Sequence, residues 1–384
     1  MMDICFRNAR VVDPGRQLDC RADVAVANGK ILEVAGSIAG RAAQEVDASD
    51  CLLLPGLADI HAHVGGESVA PLSLPVDEAG LLRGVTLLGD AGTAGPRNLE
   101  RLLAVLDGAR TPVAVFLNVH EDGIAVLPQD WQGGLRIEAV REALDRHAGR
   151  ICGLKAMLSG AFAARVGLEG LKALKQLAAQ RELPLMLHLG AEPDEPLPDG
   201  WERFCAELPA ILDAGDILSH CYTAKPGGLI TPDRRFYPQL RDAVRRGVAL
   251  DTAVALRHFD FARARQGLDD GFVPRTISTD LTRNNWHRCV FDLPETMSRF
   301  LALGMPLPEV AACVTVAPRL LLRRPAVEIR AGERAELTLL REHHGPCRFG
   351  EEGHSLSGEY RLSPEGVVWE GRYVPAAERT ARPR

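Results

Sequence analysis

The sequence predicts an α/β protein: a (β/α)8 TIM barrel carrying a small β-sandwich domain built from both chain ends. Three observations predict it. Eight short apolar runs recur in the middle of the chain, and polar residues near their ends (61, 90, 118, 155, 188, 220, 251 and 280) stand 28 to 37 residues apart, the period of a βα unit. The stretches between the runs carry apolar residues at three- and four-residue steps, as helices covering a sheet do. Both ends of the chain instead show alternating or β-branched runs broken by Gly, Asn, Asp and Pro. A doubly wound open sheet is the alternative architecture.

In chain order, CFRNARVVDP, ADVAVANGKILEVAG and AQEVDASDCLLLPG read as hairpin strands and assign residues 1–54 to the sandwich. The barrel strands follow over 55–320: GLADIHAHV, VTLLGDAG, PVAVFLNV, ICGLKAML, PLMLHLG, DILSHCY, GVALDTAV and TISTDL. Helices are expected at RNLERLLAVLDGA, LRIEAVREALDRHAG, GLEGLKALKQLAAQ and FYPQLRDAVRRG, several stopped by Gly. This span is close to the ~250 residues that the barrel takes. After a last helical stretch, PLPEVAACVTVAPRLLL, residues 321–384 return to strand-like runs, AELTLLRE and GVVWEGRYV. Neither end alone can bury a convincing core, so the two are expected to form one domain.

Composition excludes several classes. A mean hydropathy of -0.04 with 25% charged residues is ordinary for a folded chain, which argues against disorder. The net charge of -6 argues against a nucleic-acid binder. The first twenty residues lack the apolar core of a secretory signal and no run of ~18 apolar residues occurs, so a cytoplasmic protein without membrane partners is expected. Nine cysteines without a C-x-x-C pair suggest neither a disulfide framework nor a zinc finger. The expected partner is a small-molecule substrate; a second copy of the chain, as a homo-oligomer, is left open.

The chemistry lies where polar residues interrupt the apolar runs. His61 and His63 are two apart on a strand and face the same way, giving half a metal site. A lone histidine in an apolar strand is usually a hydrogen-bonded core residue. His61, His63, His188 and His220 at three strand ends, joined by Asp280 on the eighth, make a metal centre the better reading. Imidazole and carboxylate donors without thiolate suit zinc, with manganese, iron or cobalt as alternatives. Lys155 is a cation where cations would bind. Burial lowers a lysine pKa from ~10.4, and the neutral amine can add CO2 to give a carbamate able to bridge two metal ions. The alternative is a lysine that snorkels outward or binds substrate.

PGLADIHAH, Pro55 to His63, reproduces the Pro-Gly-x-x-Asp-x-His-x-His motif, and with it the chain resembles the amidohydrolase superfamily, in the dihydroorotase and hydantoinase branch. The resemblance implies that His61, His63 and Asp280 hold the more buried of two divalent metal ions. His188 and His220 would hold the more exposed one, with carbamylated Lys155 as bridge. It further implies that a hydroxide held between the metals attacks the scissile carbonyl while Asp280 shuttles its proton. DAGTAGP, HCYTAKPGG and GFVPRTISTDL are similar to a narrower amidohydrolase/deacetylase group acting on acylated small acids. Two departures stand out. Gly65 occupies the place of the arginine with which dihydroorotases hold the substrate carboxylate, and DTAVALRHFD replaces the Gly-His-Gly end of strand 7 in the deacetylase group.

The expected function is hydrolysis of an amide or ester bond in a small acylated acid. The alternatives are a cyclic-amide hydrolase and a non-catalytic hydantoinase-like scaffold. Tyr222, Thr223, Arg275 and Arg283 are candidate substrate contacts, the arginines because a guanidinium fork suits a carboxylate. Asp90 and Asn118 are weaker candidates, and His258, His287, His343, His344 and His354 have no partner spacing that singles them out.

Overall fold

The computed structural model describes residues 1–126, 135–191, 197, 199–231, 233–255, 258–351 and 354–377. Leu256 and Arg257 of the DTAVALRHFD segment, and the last residues of the tail, lie outside the described residues.

The amino end forms β1 (Met2–Asp13), β2 (Leu18–Ala27), β3 (Lys30–Ala35), β4 (Ala42–Asp47) and β5 (Cys51–Pro55), and the carboxyl end forms β13 (Leu337–Glu351), β14 (His354–Trp369) and β15 (Arg372–Pro375). The two ends share one hydrogen-bonded sheet in the order β15-β14-β13-β5-β1-β2-β3, with β4 on β1. Its pairs are antiparallel except for β4 and β5 on β1. The splice is β5 against β13, where Leu339 lies opposite Leu53. Phe6, Val24, Leu53, Leu337 and Val368 bury one joint core, which neither end could assemble alone.

Between the ends, β6 (Leu57–Ala62), β7 (Val85–Ala91), β8 (Val113–Asn118), β9 (Ile151–Leu158), β10 (Leu185–Leu189), β11 (Ile217–Ser219) and β12 (Ala249–Asp251) pair in sequence order as a parallel sheet of seven strands. Helices α1 (Val76–Ala79), α2 (Leu99–Leu106), α3 (Ile137–Arg146), α4 (Gly160–Gln180), α5 (Trp201–Ile211), α6 (Pro238–Arg246), α7 (Phe261–Asp269), α8 (Leu293–Ala302), α9 (Leu307–Val314) and α10 (Val316–Leu321) fall around them. Strand alternation divides the apolar residues. Val115, Leu117, Leu187, Leu218 and Leu250 join the large core shared with the helices, whereas Ala114, Phe116, Met186, Ile217 and Ala249 pack with one another on the opposite face. Along that second face Asn118, His188 and Asp251 lie two residues beyond Phe116, Met186 and Ala249, so the polar residues gather toward the carboxyl ends of the strands.

The eighth expected run, TISTDL, is not a regular strand. Its backbone still bonds both edges of the sheet: Arg275 N–H donates to the Leu250 carbonyl at 2.8 Å, Asp280 N–H to His61 O at 2.7 Å, and His63 N–H to Leu281 O at 3.0 Å. Two features break the ladder. Asp280 sits in the left-handed region at φ 49°. Side chains also take backbone donors: Ser278 N–H donates to the Thr252 hydroxyl at 2.9 Å and Thr279 N–H to Asp59 at 3.2 Å, while the hydroxyls of Thr276 and Ser278 donate to Asp251 at 2.7 Å and that of Thr279 to Asp59 at 2.5 Å. Among the described residues no helix is long and apolar enough to cross a membrane.

Candidate metal centre

Each strand end delivers one part of a buried polar cluster. His61 comes from β6 and His63 directly follows it, Lys155 comes from β9, His188 from β10, His220 directly after β11, and Asp280 from the segment that bonds both sheet edges. The structure brings all six together. Asp280 Oδ1 lies 3.1 Å from His63 Nε2 and 3.5 Å from His61 Nε2, and its Oδ2 lies 3.9 Å from His220 Nε2. Lys155 Nζ is 3.1 Å from His61 Nε2, and His220 Nε2 is 2.8 Å from His188 Nδ1.

The far nitrogens of the rings are already occupied. His61 Nδ1 faces Asp251 Oδ2 at 3.2 Å, His63 Nδ1 faces Thr93 Oγ1 at 3.1 Å, and His220 Nδ1 faces the Ala253 carbonyl at 2.8 Å. With Nδ1 tied outward, each ring points Nε2 at the cluster, the arrangement that outer partners give to metal-ligating histidines. Burial pushes the pKa values of His61, His188 and His220 down, which leaves the rings neutral with a lone pair to donate. Burial alone would raise the Asp280 carboxyl, but His61 and His63 beside it hold it well below the ordinary carboxylate range.

Lys155 is 1% exposed, and burial pushes its pKa down to about 8. Its ammonium touches His61 Nε2 and, at 3.6 Å, Met186 Sδ; among the described residues no carboxylate pairs with it. His220 at φ 60° and Asp280 at φ 49° are both left-handed, a cost that non-glycine residues carry where surroundings impose it.

Two donor groups emerge. His61, His63 and Asp280 place their ligand atoms within 4.8 Å of one another, and so do His188, His220 and His258. Imidazole nitrogens beside one carboxylate fit a divalent cation such as zinc. His258 was not legible in the sequence: it lies seven residues beyond Asp251, the last residue of β12, with no periodicity to mark it. Asp251, Thr93 and Lys225 were likewise not singled out as site residues.

The candidate substrate contacts are placed less uniformly. Tyr222 is fully buried against Phe259 and Phe300 and donates its hydroxyl to the Phe272 carbonyl at 2.6 Å, so it props the wall behind His220. Thr223 is buried, its N–H bonds His220 O at 3.0 Å, and its hydroxyl accepts from Lys225 N–H at 3.2 Å, fixing the turn after β11. Arg275 is at the opposite end of the strands, lining a cavity of about 770 Å3 with Pro184, Asp216 and Val248, each of which precedes a strand. Its expected contact with substrate fails on that distance along the sheet. Arg283 is on the metal side, paired with Glu67 and bonded through its N–H to Leu72 O. Asp90 accepts from Val64 and Thr93 N–H, and Asn118 braces Gly92 and His120, so both hold loops.

No family model matches the chain. A deacetylase of Agrobacterium fabrum is 29% identical over 371 residues, spanning 92% of this chain and 88% of the relative. A deacetylase of Enterococcus faecalis is 29% identical over 350 residues, spanning 88% and 89%. A crystal structure of a dihydroorotase superposes with a TM-score of 0.84 at 25% identity, covering 97% of this chain and 99% of that one. Similarity of this extent to such proteins places the chain in the amidohydrolase superfamily, as a hydrolase acting on carbon–nitrogen bonds.

Proposed function

We propose that the chain is a two-cation hydrolase that removes an acyl group, held by an amide or ester bond, from a small acid. The convergence of six ligand-type side chains from four strand ends and the closing segment carries this reading. His61, His63 and Asp280 hold one cation, His188 and His220 the other, and Lys155 as a carbamate joins them. Zinc ions bound there supply water of lowered pKa and polarise a carbonyl.

The chain's own groups do the rest. The Lys155 ammonium gives up one proton to become a free amine, whose Nζ then forms a bond to the carbon of CO2 and releases a second proton, so that a cation is exchanged for an anion in the cluster. Asp280 keeps Oδ1 against His63, which leaves Oδ2 to take a proton and return it to the departing nitrogen or oxygen. The outward bonds of His61 and His63 to Asp251 and Thr93 hold both rings still while that proton moves. Seven parallel strands together with the segment at 275–281 act as a closed barrel over 55–320, braced by the sheet of both chain ends.

The two near-full-length deacetylase relatives support acyl removal over ring opening. The dihydroorotase superposition favours a second reading, hydrolysis of a cyclic amide. A panel of N-acetyl and O-acetyl acids of both hands, beside dihydroorotate, dihydrouracil and hydantoins, separates them. Turnover of acyl acids is expected, and strong activity confined to the cyclic compounds would overturn the preference.

A further inference from the structure

We propose that His258 supplies a third nitrogen to the cation held by His188 and His220, and that Lys225 holds it off until that cation arrives. The proposal rests on the two-cation reading above.

The ring of His258 is where a ligand would be and lacks what a core histidine has. Its centroid is 4.1 Å from that of His220 and 4.6 Å from that of His188, and its donor atom falls within 4.8 Å of theirs. It is 7% exposed, yet its Nδ1 is buried with no hydrogen-bond partner. A structural histidine at that depth would have both nitrogens satisfied, since an unpaired buried polar atom is costly. A cation at the His188–His220 position would satisfy Nδ1. The position would then have three side-chain donors of its own, as many as His61, His63 and Asp280 give the other, so the two cations should bind with similar affinity.

The other nitrogen explains why the ring is not already poised. His258 Nε2 lies 2.8 Å from Lys225 Nζ. An ammonium only donates, so Nε2 accepts and the proton of the neutral ring sits on Nδ1. For Nδ1 to bind a cation, that proton must pass to Nε2, where it would confront the N–H groups of Lys225. The lysine therefore has to leave as the cation enters. Lys225 is only half-buried and carries a four-carbon flexible stem, so it can.

The test uses the full-length protein, stripped with a chelator and titrated with cobalt(II) in bicarbonate buffer, followed by calorimetry and visible absorption. The wild type should take up two cobalt ions of comparable affinity. His258→Ala, and His258→Asn as the better-packing variant, should keep the first and weaken the second by more than about tenfold, at least the lower bound for losing an outer partner, with a changed cobalt absorption. Lys225→Met should strengthen the second severalfold. Thermal melts establish that the variants are folded. Two cobalt ions in the wild type with unchanged second affinity and absorption in either folded His258 variant would overturn the role of His258 alone. No strengthening in Lys225→Met would overturn the holding role of the lysine. Fewer than two cobalt ions in the wild type would remove the two-cation reading itself.

Discussion

The reach of a carboxylate decides what Asp280 can do. Its two oxygens span His63 on one side and His220 on the other, so the same side chain can anchor a cation through Oδ1 and handle a proton at Oδ2. Asp280→Asn keeps the shape and one oxygen but loses the charge and the second acceptor. Turnover should fall by ~10²–10⁴, the range for general acid–base groups, with the thermal midpoint little changed. Retention of more than about a tenth of the rate, with metal content verified, would contradict the assignment. Lys155 is tested differently: intact mass under native conditions in bicarbonate should exceed the sequence mass by one CO2, and Lys155→Met should abolish that increment together with most bound metal. An unmodified mass in metal-replete protein would refute the bridge. These residues were legible because strand periodicity placed each at a strand end. His258 and Lys225 were not, because both lie in irregular turns where spacing carries no phase. Arg275 misled because its closeness to Asp280 in sequence becomes opposite ends of the same segment in space.

At the scale of elements, the seven strands were visible as apolar runs because parallel strands bury both faces. The eighth run was visible too, but its hydroxyls bond carboxylates, and no periodicity announces that. Close strand contact explains one glycine. A Cβ on Gly89 of β7 would lie 2.3 Å from the carbonyl oxygen of Ile60, which is backbone and cannot swing aside. Gly89→Ala should therefore cost ~1–3 kcal/mol as an overpacked site, and by pushing the strand that carries His61 it should lower metal occupancy as well. Calorimetric melting and metal analysis check both, and an unchanged occupancy would separate the strand from the site. Sheet elements near the amino end give a pH signature. Asp23 on β2 accepts from the N–H groups of Asn8 and Ile38 and from Arg7. Burial would raise its carboxyl, but these three donors outweigh burial and hold it below the ordinary value. A carboxyl lowered in the folded state stabilises above its unfolded pKa, ~3.9, and that contribution is lost as pH falls below it. Denaturant titrations should show Asp23→Asn less stable than wild type at pH 7, with the gap narrowing toward pH 3; a gap independent of pH would count against the ionised role.

For the whole molecule, the question is what couples the parallel sheet to the sheet of the two chain ends. Composition could not answer it, since a buried ion pair at the junction carries no mark that tells it from the surface pairs. Arg319 of α10 bonds Glu336, which directly precedes β13, and its guanidinium also reaches the Gly56 carbonyl at 3.3 Å and the Thr86 hydroxyl at 3.2 Å. Thr86 of β7 in turn donates to Glu336 at 2.6 Å. The junction thus gathers the start of β6, β7, α10 and β13 on one carboxylate, with Arg319 5% and Glu336 1% exposed. Arg334, on the surface, takes the second oxygen. Removing only the acid strands a guanidinium that burial already disfavours as a cation. Breaking a buried pair from one side typically costs ~3–5 kcal/mol, whereas replacing both partners with apolar groups is often close to neutral. Glu336→Ala should therefore lower the unfolding midpoint sharply. Adding Arg319→Met in the Glu336→Leu background should restore most of the loss, because no charge is then left unpaired. If single and double replacements lower stability equally, the pair is not what joins the two sheets, and the packing of α8 on β14, where Leu362 N–H donates to the Ser298 hydroxyl at 2.9 Å, must carry the coupling.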